Sequence, residues 1–276
     1  MIPITPRMPE IDWGATFARH WLGGSPARTH GFNALSFLFP QAERFFIEVA
    51  REVMAEMEGR VEPKLRRAVM AFIVQEATHT RQHGQYNAIL RAQGYENVVY
   101  RFVEDLQEES RRHASPLTRL AVVCGYEHYT AILGNYVLSD PSVLASAEPR
   151  MALIWGWHSA EETEHKGVCF DLYRAAGGGW LRRVLVFLLV TVNFNVMYFR
   201  LYLSLLRRDG RLRPRSLAHT ASDSIRFFFG PHGVGWQLLL HGVRYLRPSF
   251  HPWQHDNREK LARWLAANRE QLRCIG

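Results

Sequence analysis

Apolar positions recur at helical spacing through most of the chain. Between Phe37 and Met57 the residues Glu43, Phe46 or Ile47, Ala50, Val53 and Met57 fall on one stripe, and Pro40 suits a first helical turn. A second helix is predicted from Pro63 to about Ala92. Its inner seam reads Leu65, Val69, Phe72, Glu76, His79, His83, Tyr86 and Leu90, with steps of three and four, and Gly94 ends it. The charged stretch from Phe102 to His113 predicts a short surface helix. Ser115-Pro116 opens another long helix, with Leu117, Leu120, Cys124, Glu127 and Ala131 on its seam, and Asp140-Pro141 breaks it. A fourth long helix starts near Pro149 and carries Met151, Trp155, His158, Glu162, His165, Cys169 and Leu172 inward, up to the AAGGGW run at 175–180. Strand and hairpin signals are scarce. The expected class is all-α: a four-helix bundle over 37–178, preceded by a loop-rich arm (1–36) in which no chemistry is legible. A long apolar helix (179–210) and a helical segment packing on the bundle (211–276) complete the division.

Each seam carries titratable groups where a soluble bundle buries apolar ones. Such groups cost several kcal/mol when buried alone. A shared cation removes the cost, because it neutralises carboxylates and fills imidazole lone pairs. The spacing supports that reading. Glu76-x-x-His79 and Glu162-x-x-His165 are two i,i+3 pairs, and residues three apart are neighbours on a helix face. Glu43 precedes Glu76 by 33 residues and Glu127 precedes Glu162 by 35, so the chain repeats a Glu helix followed by a Glu-x-x-His helix. Two such hairpins face to face place four carboxylates and two histidines around two metals. His158, one turn before Glu162, is expected as a further nitrogen ligand. His83, one turn after His79, is either a ligand or a support for one. Glu48 falls off the stripe, Glu161 is expected to support a ligand or to be solvated, Glu164 to point away, and His128 to lie off the seam.

Composition changes the picture little. The 276 residues carry a net charge of +8, almost all of the positive side being arginine. No nucleic-acid motif accompanies that charge, so it reads either as arginine-biased composition on a solvated surface or as attraction to an anionic membrane face. The three cysteines are scattered and read as free thiols of a reducing compartment. The N-terminus lacks the pattern of a signal peptide, and a cytoplasmic location, with membrane association as the variant, is the expectation.

The order Glu, Glu-x-x-His, Glu, Glu-x-x-His resembles the ferritin-like di-iron superfamily, which includes the small subunit of ribonucleotide reductase. HSAEETEH is similar to the His-x-x-x-Glu-x-x-His run of di-iron N-oxygenases, in which the additional histidine is a ligand; this implies the same for His158. QEATHTRQHGQYN, WHSAEETEHKGVCFDLY and FHPW resemble a bacterial family of predicted metal-dependent hydrolases, from about Phe37 to Trp253. That resemblance implies metal binding.

Mixed carboxylate and imidazole donors suit iron, with manganese or zinc as alternatives. Two Fe(II) ions can give two electrons to dioxygen. The first expectation is therefore an oxygen-dependent oxidase or oxygenase on a small or fatty apolar substrate, served by an electron donor, with Phe45, Phe46, Phe72 and Trp155 near the substrate. Hydrolysis by a metal-bound hydroxide is the second, and a non-catalytic iron-binding or ferroxidase protein the third. Residues 184–206 are apolar over 23 positions and bracketed by Arg182-Arg183 and Arg207-Arg208. With Arg200 inside, this stretch is expected as a helix buried on the bundle or in a homodimer interface, with peripheral membrane contact as the alternative and a true span last. In FHPWQHD a turn docked by Phe250 and Trp253 is expected ahead of a metal site on His251, His255 and Asp256.

Overall fold

The computed structural model describes residues 2–231 and 233–275. Four helices make the central bundle: α1 (Pro26–Glu56), α2 (Pro63–Ala92) and, after the outer helix α3 (Tyr100–His113), α4 (Pro116–Ser139) and α5 (Pro149–His165). α1 packs along α2 and α4 along α5, and the two hairpins meet through α1 against α4 and α2 against α5. All four bundle helices begin with proline in the first turn, where its missing N–H costs nothing. Ser25 and Ser115 cap α1 and α4 by accepting the amide N–H of Arg28 and Thr118. Gly94, at φ 90°, closes α2 so that the Tyr95 N–H reaches the Leu90 carbonyl. Gly134 sets the spacing of α4 and α5. A Cβ there would stand 2.9 Å from the Ser159 carbonyl oxygen and 3.4 Å from Cβ of Glu162.

The first helix begins at Pro26, well before Phe37, so the last eleven residues of the expected arm, 26–36, are helix. Ser25-Pro26 is the same start signal as Ser115-Pro116. Pro40 consequently lies inside α1 rather than in its first turn. Its missing N–H frees the carbonyl of Ser36, four residues back. Asn87 Nδ2 donates to that oxygen at 2.7 Å, and Asn97 Nδ2 donates to the next carbonyl, of Phe37, at 2.9 Å. The rest of the arm is not idle either. Arg7–Pro9 (β1) pairs antiparallel with Leu272–Cys274 (β2), tying the two ends of the chain together over the bundle.

The fourth long helix is interrupted at Lys166-Gly167 and resumes as α6 (Val168–Ala175). The ring of Trp253 occupies the place of a Gly167 side chain, 2.9 Å from where a Cβ would be. Lys166 Nζ donates to the His255 carbonyl and to Asn257 Oδ1, and lies 4.2 Å from the centre of the Trp253 ring. His251 is taken by Asp171 and His255 by Asn135, so this loop is a docked turn.

The remaining helices cover the bundle. α7 (Trp180–Arg208) lies across α1 and α4, α8 (Pro214–Phe229) on α1, α9 (Val234–Tyr245) on α4, and α10 (Arg258–Ala267) on α5. α7 is long and apolar enough to cross a membrane, yet one face is packed on protein through Val190, Phe194 and Leu201. The buried-helix expectation holds for that face only, since 39% of the apolar window is covered. Arg183, at its start, is buried and donates to the carbonyls of Tyr245 and Arg247.

Candidate metal centre

Seven side chains converge midway along the bundle: Glu43 from α1, Glu76 and His79 from α2, Glu127 from α4, and His158, Glu162 and His165 from α5. None is more than 4% exposed. Their ligand atoms form three overlapping groups, Glu43–His79–His158, Glu76–Glu127–His165 and Glu76–His79–Glu162, each with all atoms within 4.8 Å of one another. The pairing crosses between helices. His165 Nε2 lies 3.2 Å from Glu76 Oε1, 3.5 Å from Glu127 Oε2 and 3.3 Å from Glu162 Oε2, while His158 Nε2 lies 3.1 Å from Glu162 Oε1. Among the described residues none of the four carboxylates pairs with arginine or lysine.

The donor set fits a cation better than it fits itself. Sixteen buried side-chain polar atoms among the described residues lack a hydrogen-bond partner, and nine of them belong to these seven residues. They include one oxygen each of Glu43 and Glu162 and both oxygens of Glu76 and Glu127. The others are Nδ1 of His79 and Nε2 of His158 and His165. Native interiors leave few such atoms, and a cluster of them marks a missing partner.

The hydrogen-bond network engages the outer nitrogen of each of these histidines and leaves the other facing the centre. His79 gives its Nε2–H to Glu161 Oε2 at 3.1 Å, and the other Glu161 oxygen accepts the backbone N–H of Arg7 at 2.7 Å. Gln75 donates Nε2–H to Glu164 at 2.9 Å, so its Oε1 accepts from His165 Nδ1–H at 3.0 Å. Arg7 in turn holds Glu164 at 2.9 Å. For His158 the chain is longer. Asn87, its amide nitrogen turned to the Ser36 carbonyl, offers Oδ1 to the Ser36 hydroxyl. That hydroxyl therefore accepts from His83 Nδ1–H, and His83 Nε2 accepts from His158 Nδ1–H, each at 2.9 Å. His158 Nε2 is left bare toward the centre.

His83 thus has both nitrogens engaged and supports His158. Glu161 is buried, not solvated. Glu164 is buried as well and braces Gln75, contrary to the expectation that it points away; its partner, Arg7, belongs to the arm that read as empty. Glu48 lies outside, paired with Arg111, and His128 bonds the His241 carbonyl. A further group, His20, His30 and Asp209, was not foreseen. There Asp209 accepts from both histidines, from Tyr95 and from Arg19, so its oxygens are filled by hydrogen.

Burial, reinforced by the neighbouring carboxylates, pushes Glu43, Glu76 and Glu127 well above the usual carboxylate range. Burial opposes ionisation of Glu162 too, but the adjacent His165 and His158 outweigh it and hold Glu162 well below that range. Burial pushes Glu161 up to about 8 and lowers His79 well below the usual imidazole value. Four carboxylates here cannot all ionise unaided, and a neutral His79 is the form that binds metal.

Two apolar cavities end at the centre. The larger, 380 Å³, runs past Phe32, Phe39, Tyr129 and Trp155 to His158 and Glu162. The smaller, 250 Å³, reaches Glu43 and Glu162 past Phe45, Phe46 and Tyr126. Of the aromatics expected near a substrate, Phe45, Phe46 and Trp155 line these cavities; Phe72 instead packs edge-on against His165. No curated protein and no solved structure matches the chain. A family described as "Predicted metal-dependent hydrolase" matches residues 5–256, and by that match the chain belongs to this family of metal-dependent proteins.

Proposed function

We propose that Glu43, Glu76, His79, Glu127, His158, Glu162 and His165 hold two divalent cations, and that the protein hydrolyses an apolar or lipid-like substrate there. The observation that carries this is the set of nine unpartnered buried atoms, each on one of these residues. Two cations held by these residues would supply Lewis-acid chemistry and a nucleophilic hydroxide for hydrolysis. The chain's own groups do the rest. The aromatic walls hold the apolar part of the substrate and exclude bulk water. Among the described residues Glu162 is the one acidic side chain lining the larger cavity, which places a carboxylate where the reacting end of the substrate would meet the centre.

The family's description favours hydrolysis. Oxygen-dependent oxidation is the second reading, favoured by the donor set of four carboxylates and three imidazoles, which suits iron, or manganese, in redox use. An iron-storage or ferroxidase role leaves the apolar cavities without a purpose. The test is elemental analysis of untagged protein followed by assay of ester and amide substrates of graded chain length with and without oxygen. About two metals per chain and turnover that survives without oxygen support hydrolysis. Turnover that stops without oxygen, with matching oxygen uptake, overturns it in favour of oxidation, and a metal-free protein overturns both.

A further inference from the structure

Twenty-one large apolar side chains are exposed among the described residues, and sixteen of them lie on α7, α8 and α9. They are not scattered. Leu185, Leu188, Val192, Val196, Phe199 and Leu203 step by three and four along the outer face of α7, which at 29 residues is about 43 Å long. Monomeric proteins rarely show so large an apolar face unless something covers it. The charge lies in the same place. Residues 180–247 hold eleven arginines and two aspartates, a surplus of nine, while the whole chain nets +8. The rest of the protein is therefore close to neutral. Exposed Trp180 and Trp236 begin α7 and lie in the first turn of α9, and such rings favour the headgroup level of a bilayer.

The larger cavity opens in this same face. Leu188, Phe199, Phe229, Leu239 and Val243 are exposed and also line it, and its inner end is His158 and Glu162. A water-soluble substrate needs no such entrance, and a greasy one waiting in a bilayer does. α7 is held on protein along its inner face, so it cannot be surrounded by lipid; it can only lie flat.

We propose that the outer face of α7, α8 and α9 docks the protein in the plane of an anionic membrane, with its apolar side chains among the acyl chains and its arginines on the headgroups. The mouth of the larger cavity then faces the bilayer; only this direction of substrate entry rests on the function proposed above. A second copy of the chain could cover the apolar stripe, but a two-fold contact would set the arginine surplus of one copy against that of the other.

The test is flotation of the purified full-length protein with vesicles of phosphatidylcholine alone and of phosphatidylcholine with phosphatidylglycerol. Binding is expected to the anionic vesicles and to fall as salt rises. Leu185→Glu, Val192→Glu and Leu240→Glu together remove three exposed contacts that line neither cavity, and should abolish flotation with the melting temperature unchanged. Arg182→Gln, Arg207→Gln and Arg244→Gln should each weaken partitioning by about fivefold. Chelator-treated protein should float as well as untreated, which separates docking from the metal reading. The proposal is overturned if the wild type stays in the dense fraction with both vesicle types, or if the triple Glu variant floats undiminished. A wild-type dimer that becomes monomeric in the triple variant would assign the face to a second copy instead.

Discussion

His83 Nε2 lies 2.9 Å from His158 Nδ1, and that contact orients a nitrogen rather than offering one. The orientation originates at Pro40. Lacking an N–H, it leaves the Ser36 carbonyl for Asn87, and the protons then order through the Ser36 hydroxyl and His83 to His158. His83→Ala should therefore lower metal affinity by about 10- to 100-fold without removing a ligand. Competition titration with a chromogenic chelator measures this. Unchanged affinity in a folded His83→Ala protein would show that His158 needs no such support.

Glu127 has neither oxygen partnered, so it costs stability in the metal-free protein. Burying a polar group without a partner costs several kcal/mol, and an apolar residue of similar size removes that cost. Glu127→Leu should thus raise the melting temperature of metal-free protein and erase the gain on adding metal. A metal-free form less stable than wild type would contradict this sign.

The pH dependence follows from the raised carboxyls. Burial raises Glu43, Glu76 and Glu127 well above the usual carboxylate range, and pushes Glu161 up to about 8. A folded pKa above the unfolded one gives stability that is present at low pH and lost as pH rises through the folded value. The lowered His79 and His83 act with the opposite sign, but only below about pH 6.5, where an unfolded imidazole still binds a proton. From about pH 6.5 to 8, the interval below the raised Glu161 value, metal-free protein should therefore lose stability as pH rises. The stabilisation by added metal should grow over the same interval, as fewer protons must be displaced. Denaturant melts at three pH values, with and without metal, read both slopes.

Asp209 joins the end of α7 to the segment before α1, to α1 itself and to Tyr95 beyond α2, through Arg19, His20, His30 and Tyr95. Burial works against its charge, yet the hydrogen bonds from His30, His20 and Tyr95 prevail and hold its carboxyl far below the usual range. Asp209→Ala should cost about 3 kcal/mol, the loss expected when one partner of a buried charged network is removed. This contribution is present at neutral pH and lost in strong acid. Equal wild-type and variant midpoints in urea would refute it.

The inward stripe of each bundle helix was legible because seam residues recur every three to four positions, and a titratable group on a seam stands out against its apolar neighbours. Glu43, Glu76, His79, Glu127, His158, Glu162 and His165 could be picked out this way. So could the starts at Pro63, Pro116 and Pro149. The start at Ser25-Pro26 used the same signal, and Pro40 obscured it, since a proline inside a helix is locally indistinguishable from one at its beginning. The roles of Glu161, Glu164, Gln75 and Arg7 were not legible. They depend on where the N-terminal segment crosses α5, a contact between residues more than 150 positions apart that no local pattern encodes.

Helical periodicity, set by the backbone's own geometry, determined the all-α class, the bundle and the inward acids and imidazoles from sequence alone. Only the packed chain decided which nitrogen of each histidine is bare, that His83 serves His158, and that one face of α7 is covered while the other is open. Those outcomes rest on hydrogen-bond directions and burial, which exist only once distant segments have been brought into contact.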